Sequence, residues 1–554
     1  MLKRLLSVAA MLASSVAFAA PKIAPDVPTS GGNIDVIVRF VHPPTKDDLK
    51  LLGPYGQVKK QFDFINAVHI LLSPQQIRDL SSNPVIAYIS PANRRSNGSL
   101  DITTQTVNAN LAWQFGYDGS GVGVAVVDSG ISLKHDFNKT DGINTRIVYS
   151  QSFVAGQDAT DLYGHGTHVA GIVGGNGTDS TGSMYSRTFK GVAPNVNLIN
   201  LKVLDANGGG NESDVISAIQ TAILLKSTYN IRVMNLSLGR PVFESYTLDP
   251  LCQAVEAAYR AGIVVVVAAG NYGRDNSRGT RGYGTIASPG NDPYAITVGA
   301  TNAKGTASPY DDSIASYSAK GPTAIDHLVK PDLVAPGNGV VSVLASTQCT
   351  LFTQFNSTHV SSSTYDVLGG SGVNGNYFKL SGTSMATPVV AGAAALMLQK
   401  NPALTPDQVK ERLMRTARKI LPKFMAATDA FTFITFSNSA DIFTVGAGYL
   451  DVNAALANTD LITFPAMSPA VLYNALTHKS SLSTSFAKIM GFDDSVVWGD
   501  SVFTISSTGS QILWAADDSV VWGDSTNTAF SVIWGDSILI GMPPMAMSDD
   551  DSDQ

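Results

Sequence analysis

Three short stretches of this sequence carry residue types able to perform acyl-transfer chemistry. In "LSGTSMATPVVAG" Ser384 stands between a Gly-Thr pair and the start of a small-residue helix. A serine hydroxyl is a poor nucleophile at neutral pH unless a base takes its proton, and the base works best when a buried carboxylate orients it and stabilises its charge. The chain has eight histidines. Of these, His165 in "YGHGTHVAGIVGG" has a glycine on each side, which leaves room around the imidazole before another small-residue helix begins. Asp128 closes the apolar run "VGVAVVD", where a charge following a buried strand must be held by a specific partner. A serine that merely caps a helix is the plainer reading of Ser384 taken alone. With Asp128 and His165 ahead of it in the chain, the same helix start becomes a place where backbone N–H groups favour developing negative charge.

The blocks "VAVVDSG", "GHGTHVAG" and "LSGTSMATPVVAG" together resemble the three signature blocks of the subtilisin-like serine peptidases. The resemblance extends over residues 100–457 and ends in "GAGYLDVNAAL". It implies that Asp128 orients His165, that His165 acts as base and then acid, and that Ser384 is the nucleophile. Asn271, in "VVVVAAGNYG", matches the family's oxyanion asparagine; its setting also suits a turn. "NLSLG" (Ser237, Leu238, Gly239) and "VLDANGGG" (Gly208, Gly209, Gly210) resemble the two edges between which that family holds polypeptide substrates as an added strand. Ordinary edge and loop remain the structural alternative, although glycine-rich edges do accept another backbone closely. Ala287, in "TIASPG", would line the pocket before the scissile bond together with residues 237–239, and such small uncharged walls suit a large apolar side chain. Asp136 matches a calcium-ligating aspartate of the family. The loop "GGNGTDSTGSMYSRTFKG" departs from the family's pattern, which leaves calcium open, and the reaction itself requires no cofactor. His168 reads as a packed helix histidine, and His135, His327 and His359 have no metal-ligand spacing.

Several elements must position these residues. Short apolar runs such as "NVNLINLKVL", "RVMNLSLG" and "GIVVVVAAGN", alternating with small-residue helices, predict strands buried on both faces of a mostly parallel sheet: an α/β doubly wound fold. In such sheets ligands sit at the carboxyl ends of strands, where Asp128, Ser237 and Asn271 fall. Ahead of it, residues 33 to about 92 alternate strand, capped helix and strand, a small α+β unit ending in the polar stretch "PANRRSNGSL". The first 19 residues, with Lys3 and Arg4 before an apolar run and Ala17-Phe18-Ala19 at its end, have the form of an export signal. The family resemblance assigns residues 20–98 to a propeptide that inhibits its own active site, and 99–460 to the peptidase domain.

Residues 461–554 form an extension in which "DDSVVWGDS" occurs at 493–501 and 517–525, with the variant "FSVIWGDS" ending at Ser537, before an acidic tail. The repeats predict small hairpins whose tryptophans must be covered by the peptidase domain or by a surface partner. A surface interaction protein that keeps the fold as scaffold, and a narrow-specificity maturation peptidase, therefore stay beside a general exported endopeptidase. A net charge of −7 with no long basic run disfavours nucleic acid, and no later stretch has the length of a spanning helix. Two cysteines, Cys252 and Cys349, allow either one bridge or two buried thiols.

Overall fold

The computed structural model describes residues 22–23, 27, 32–62, 66–91, 100–277, 279–368, 372–428, 434–474 and 479–482, with three further short strands at Ile505–Ser506, Leu513–Trp514 and Ile538–Ile540. The export-type leader, both copies of "DDSVVWGDS", most of "PANRRSNGSL" and the acidic tail lie outside the described residues. The chain divides into two units, Met1–Arg95 and Ser96–Gln554.

In the first unit four antiparallel strands are ordered Val58–Phe62, Ala67–Leu72, Ile34–Phe40, Ile86–Pro91. Helices Lys46–Leu52 and Pro74–Ser81 start where Thr45 and Ser73 form reciprocal capping boxes with Asp48 and Gln76, satisfying N–H groups that a helix start leaves orphaned. Alternate residues Val36, Val38, Val68 and Ile70 face Leu52, Ile77 and Leu80 in one core.

The second unit is built on an eight-stranded sheet. Its order is Ser313–Ile314, Ile296–Asn302, Val264–Ala268, Ile231–Leu236, Gly123–Asp128, Asn197–Lys202, Ile147–Ser152, and Leu333–Pro336 also pairs with Ile296–Asn302. Every pairing is parallel except that of Ser313–Ile314. Successive residues of one strand enter different cores. Val124, Val126, Val264 and Val266 pack with the helices His165–Gly174 and Thr383–Lys400, whereas Ala125, Val127, Val265 and Val267 pack with Glu212–Tyr229 and Pro250–Arg260. Helices on both faces of a mostly parallel sheet are the doubly wound α/β architecture that the apolar runs predict. Residues 383–398 of the serine-bearing helix are all buried, so it is a core helix, and its small residues let the sheet approach closely.

Past residue 460 the chain keeps its grip on this unit. Ala466 N–H donates to Asp407, Ser468 N–H to Pro293 O and Val471 N–H to His327 O, so the packed body continues beyond the boundary expected at 460. Farther on, Val471–Asn474 pairs with Lys479–Leu482, and Ile505–Ser506 with Leu513–Trp514, as antiparallel hairpins. The three-residue strand Ile538–Ile540 pairs antiparallel with Gly209–Asn211. Trp498, Trp522 and Trp534 lie outside the described residues. Among the described residues no helix is long and apolar enough to cross a membrane.

Candidate active site

Asp128 is the last residue of its strand, and the preceding pair Val127–Leu236 puts Ser237 at the same end of the neighbouring strand. Asp128 is 1% exposed, and its Oδ1 accepts from Ser129 N–H at 2.7 Å and from His165 Nδ1 at 2.8 Å. The bond from Asp128 fixes the proton on Nδ1 and leaves Nε2 as the basic nitrogen. His165 is the first residue of its helix, fully buried, and its Nε2 has no hydrogen-bond partner. Burial alone would lower the imidazole pKa, but the charge and hydrogen bond of Asp128 outweigh it and hold it above the ordinary value.

Ser384 is the second residue of the helix Thr383–Lys400, where an N–H has no carbonyl four residues back. Its Oγ donates to Ser237 O at 3.2 Å, and Ser237 Oγ donates to Ser384 O at 2.9 Å. The second bond has a covalent cause. Pro388 lies four residues after Ser384 and has no N–H, so the helix cannot satisfy the Ser384 carbonyl, and the Ser237 hydroxyl does so. Pro388 is the sixth helical residue, beyond the first turn that usually tolerates proline, and this exchange with Ser237 is what accommodates it. Asn271 follows the end of the strand Val264–Ala268. Its Oδ1 accepts from Thr383 N–H at 2.9 Å and Thr383 Oγ1 at 3.0 Å, which aims its amide nitrogen toward Gly382, 3.2 Å from where a Cβ on that glycine would lie. Asp128, which holds His165, Ser237, which braces the serine helix, and Asn271 thus all stand at or just past the carboxyl ends of adjacent parallel strands.

Over residues 119–446 the sequence matches the subtilase family (Peptidase_S8). The chain belongs to this family. It is 38% identical over 373 residues to the serine protease AprX of Bacillus subtilis (strain 168), covering 65% of this chain and 75% of that one. It is 34% identical over 367 residues to Subtilisin E of the same strain, covering 65% and 78%. It is 33% identical over 388 residues to an alkaline protease of Alkalihalobacillus alcalophilus, covering 68% and 81%. This subtilase is accordingly a serine endopeptidase.

The remaining expected positions sort by what the subtilase fold does with them. Gly208 has φ +79°, and a Cβ there would fall 2.6 Å from the Tyr163 ring, so only glycine suits the turn. Asp205 pins that turn by donating N–H to Gly209 O at 2.7 Å and accepting from Gly209 N–H at 3.0 Å. Gly210 packs on Val203 O, and the edge it shares with Gly209 is the one paired with Ile538–Ile540. Ser237 and Leu238 are fully buried, so the Ser237 side chain is a strut for the serine helix rather than a pocket wall. Gly239 is also buried, and Arg240 beside it exchanges two backbone bonds with Ser288. Ala287 donates N–H to Ala269 O at 2.9 Å and lies next to Gly270, at the base of the Asn271 turn.

Sequence reasoning missed Ser129 and Asp161. Ser129 Oγ donates to Asp161 Oδ1 at 2.8 Å and accepts from Gly166 N–H at 2.9 Å, while Asp161 also accepts from Gly164 and Thr167 N–H. These bonds lock the start of the histidine helix against the aspartate strand; the sequence signal for them is that Ser129 lies inside the block "VAVVDSG" and Asp161 three residues before "GHGTHVAG". The Ser/Thr-rich segment 344–376, between "VAPGNGVVSV" and "YFKLSGTS", also has a role. Thr350 and Leu351 donate N–H to Leu162 and Tyr163 carbonyls, and Thr350 Oγ1 donates to Ala206 O, so this segment braces the loop on which the glycine edge turns.

His168 is a packed histidine. Its Nε2 lies 2.9 Å from Val340 O, its ring meets Phe378 edge-on, and burial pushes its pKa down to about 3. Cys252 and Cys349 are separate, buried thiols. At Asp136 one oxygen accepts from Asp179 N–H at 2.9 Å and the other from the Tyr377 hydroxyl at 2.8 Å, while burial raises its pKa to about 6. A calcium ligand must be ionised and turn its oxygens to the cation. In this structure each Asp136 oxygen accepts one hydrogen bond, and among the described residues no group of three or more His, Cys, Asp or Glu side chains is placed to hold a metal ion.

Proposed function

We propose that this subtilase is an exported endopeptidase, made as a precursor, that cleaves polypeptides through an acyl-enzyme on Ser384. What carries this reading is the buried Asp128–His165 pair together with a serine at the head of a helix that is bonded to Ser237 at the end of the neighbouring strand. His165 Nε2 takes the Ser384 proton as Oγ attacks the scissile carbonyl, and the imidazolium formed is stabilised by Asp128. The Ser384 hydroxyl, which donates to Ser237 O in the resting enzyme, rotates toward Nε2 for this step. The tetrahedral oxyanion accepts from Ser384 N–H and from the Asn271 amide. His165 then protonates the leaving amine, and water deacylates the serine by the same route. Substrate lies as an added strand between Gly208–Gly210 and the backbone of Ser237–Gly239, with Ala287 at the pocket for the residue before the cut.

The α+β unit is read as a propeptide and intramolecular inhibitor, consistent with its separate core. The test compares intact mass and N-terminal sequence of the exported protein with those of Ser384→Ala, together with labelling by a serine-directed phosphonate. Wild type is expected to lose residues to about 98 and to take the label, with the variant doing neither. Near-normal peptide hydrolysis by Ser384→Ala would overturn the assignment.

A further inference from the structure

The glycine edge on which substrate is expected to lie already carries a strand of this chain. Ile538 pairs with Asn211, Leu539 with Gly210 and Ile540 with Gly209, all antiparallel. The polarity is informative. Gly208, the residue before this edge strand, packs on Tyr163, whose ring centroid is 6.3 Å from that of His165. The Gly209 end of the edge is therefore the catalytic end, and an antiparallel strand runs from Asn211 toward it. Ile538–Ile540 thus approaches the site carboxyl end first, as the acyl part of a substrate must if its carboxyl side is to reach Ser384. The edge also suits such an occupant: Gly209 and Gly210 have no side chains to hold a second backbone away, and Asp205 keeps the turn fixed from its inner side.

We infer that residues 538–540, an aliphatic segment following the last Trp/Gly-Asp repeat, occupy the acyl-side substrate edge in cis and compete with substrate for it. This inference rests on the reading of Gly208–Gly210 as a substrate edge. A tethered strand binds at a high effective concentration, so even three residues shift the population toward a covered edge. The ligand class that this edge takes is an extended, aliphatic peptide lying antiparallel to it.

The test uses the full chain, a chain ending at Ser537, and a full-length Leu539→Pro/Ile540→Pro variant, which removes two successive N–H donors and so disrupts either hydrogen-bonding register. Peptide hydrolysis by both altered chains should show KM lowered about 10-fold or more with kcat unchanged, as when a mostly covered site is opened. Unchanged KM in both overturns the inference. A second readout does not depend on activity: amide exchange at Gly209–Asn211, measured in Ser384→Ala backgrounds. Faster exchange there after truncation supports the covering strand, and identical exchange overturns it. Absent hydrolysis by every chain, with exchange still responding to truncation, would sink the peptidase reading of the site and leave the docked strand standing.

Discussion

At the scale of single residues, the decisive arrangement is a base whose charge state is set by one carboxylate. Because Asp128 holds the His165 pKa above the ordinary imidazole value despite burial, the base is lost to protonation at a higher pH than free imidazole would be. kcat/KM should therefore fall as pH drops through that raised value. In Asp128→Asn the rate should fall by about 10⁴-fold, and the midpoint of the remaining profile should move to lower pH. A profile that stays in place would show that Asp128 does not control the imidazole. The linkage has the matching sign: a raised histidine pKa adds stability below the unfolded value near 6.5, and this is lost as pH rises through the folded one. Asn271→Ala should cost about 10²–10³ in kcat at little change in KM, the signature of a contact formed only as charge develops; an equal loss in KM would assign Asn271 to binding instead. These residues were legible in the sequence because each sits in a motif whose local geometry is local in sequence too. The roles of Ser129, although it shares a block with Asp128, and of Asp161 are not legible there, because they arise from a bond across 32 positions.

At the scale of elements, the site is a set of strand ends and helix starts held in register. The alternation of Val124 to Val127 between two cores follows directly from period-two side chains, which is why the apolar runs revealed the sheet. The serine helix carries a relation that no local pattern shows: Pro388 removes a helical donor, and Ser237 from another strand replaces it. Ser237→Ala should leave the Ser384 carbonyl buried without a donor and cost about 1–3 kcal/mol in thermal or denaturant unfolding. Pro388→Ala returns an N–H four residues on, so the double variant should recover much of that loss. Strict additivity of the two changes would mean that Ser237 does not serve the proline gap.

At the scale of the whole molecule, Asp332 is the node that ties distant segments together. Fully buried, it pairs with Lys330 at 2.7 Å and Lys410 at 3.1 Å and accepts from Ser468 Oγ at 2.6 Å, while Lys410 also donates to Pro293 and Ala295 carbonyls. Removing one member of a buried charge set leaves the others uncompensated, at a cost of about 3–5 kcal/mol. Asp332→Asn should accordingly unfold at markedly lower denaturant with unchanged m-value. A chain ending at 460, which lacks Ser468, should be less stable than one ending at 475; equal stability would show that the 461–471 segment is not part of the body. The sequence placed the end of the catalytic body at 460 because the family's last helix closes there and the composition then shifts, and nothing in "FPAMSPAV" announces that its serine completes a buried ion cluster. Ser468 and the glycine edge stand on opposite sides of one choice that a trimming protease faces. Cutting after Val471 sheds the repeats and the strand at 538–540 while keeping Ser468 on Asp332, whereas cutting before Ala466 takes that serine away from the buried ion cluster. The bonds of Ala466, Ser468 and Val471 therefore set the shortest form expected to keep the buried ion cluster closed, and a cut after Val471 leaves all three in place.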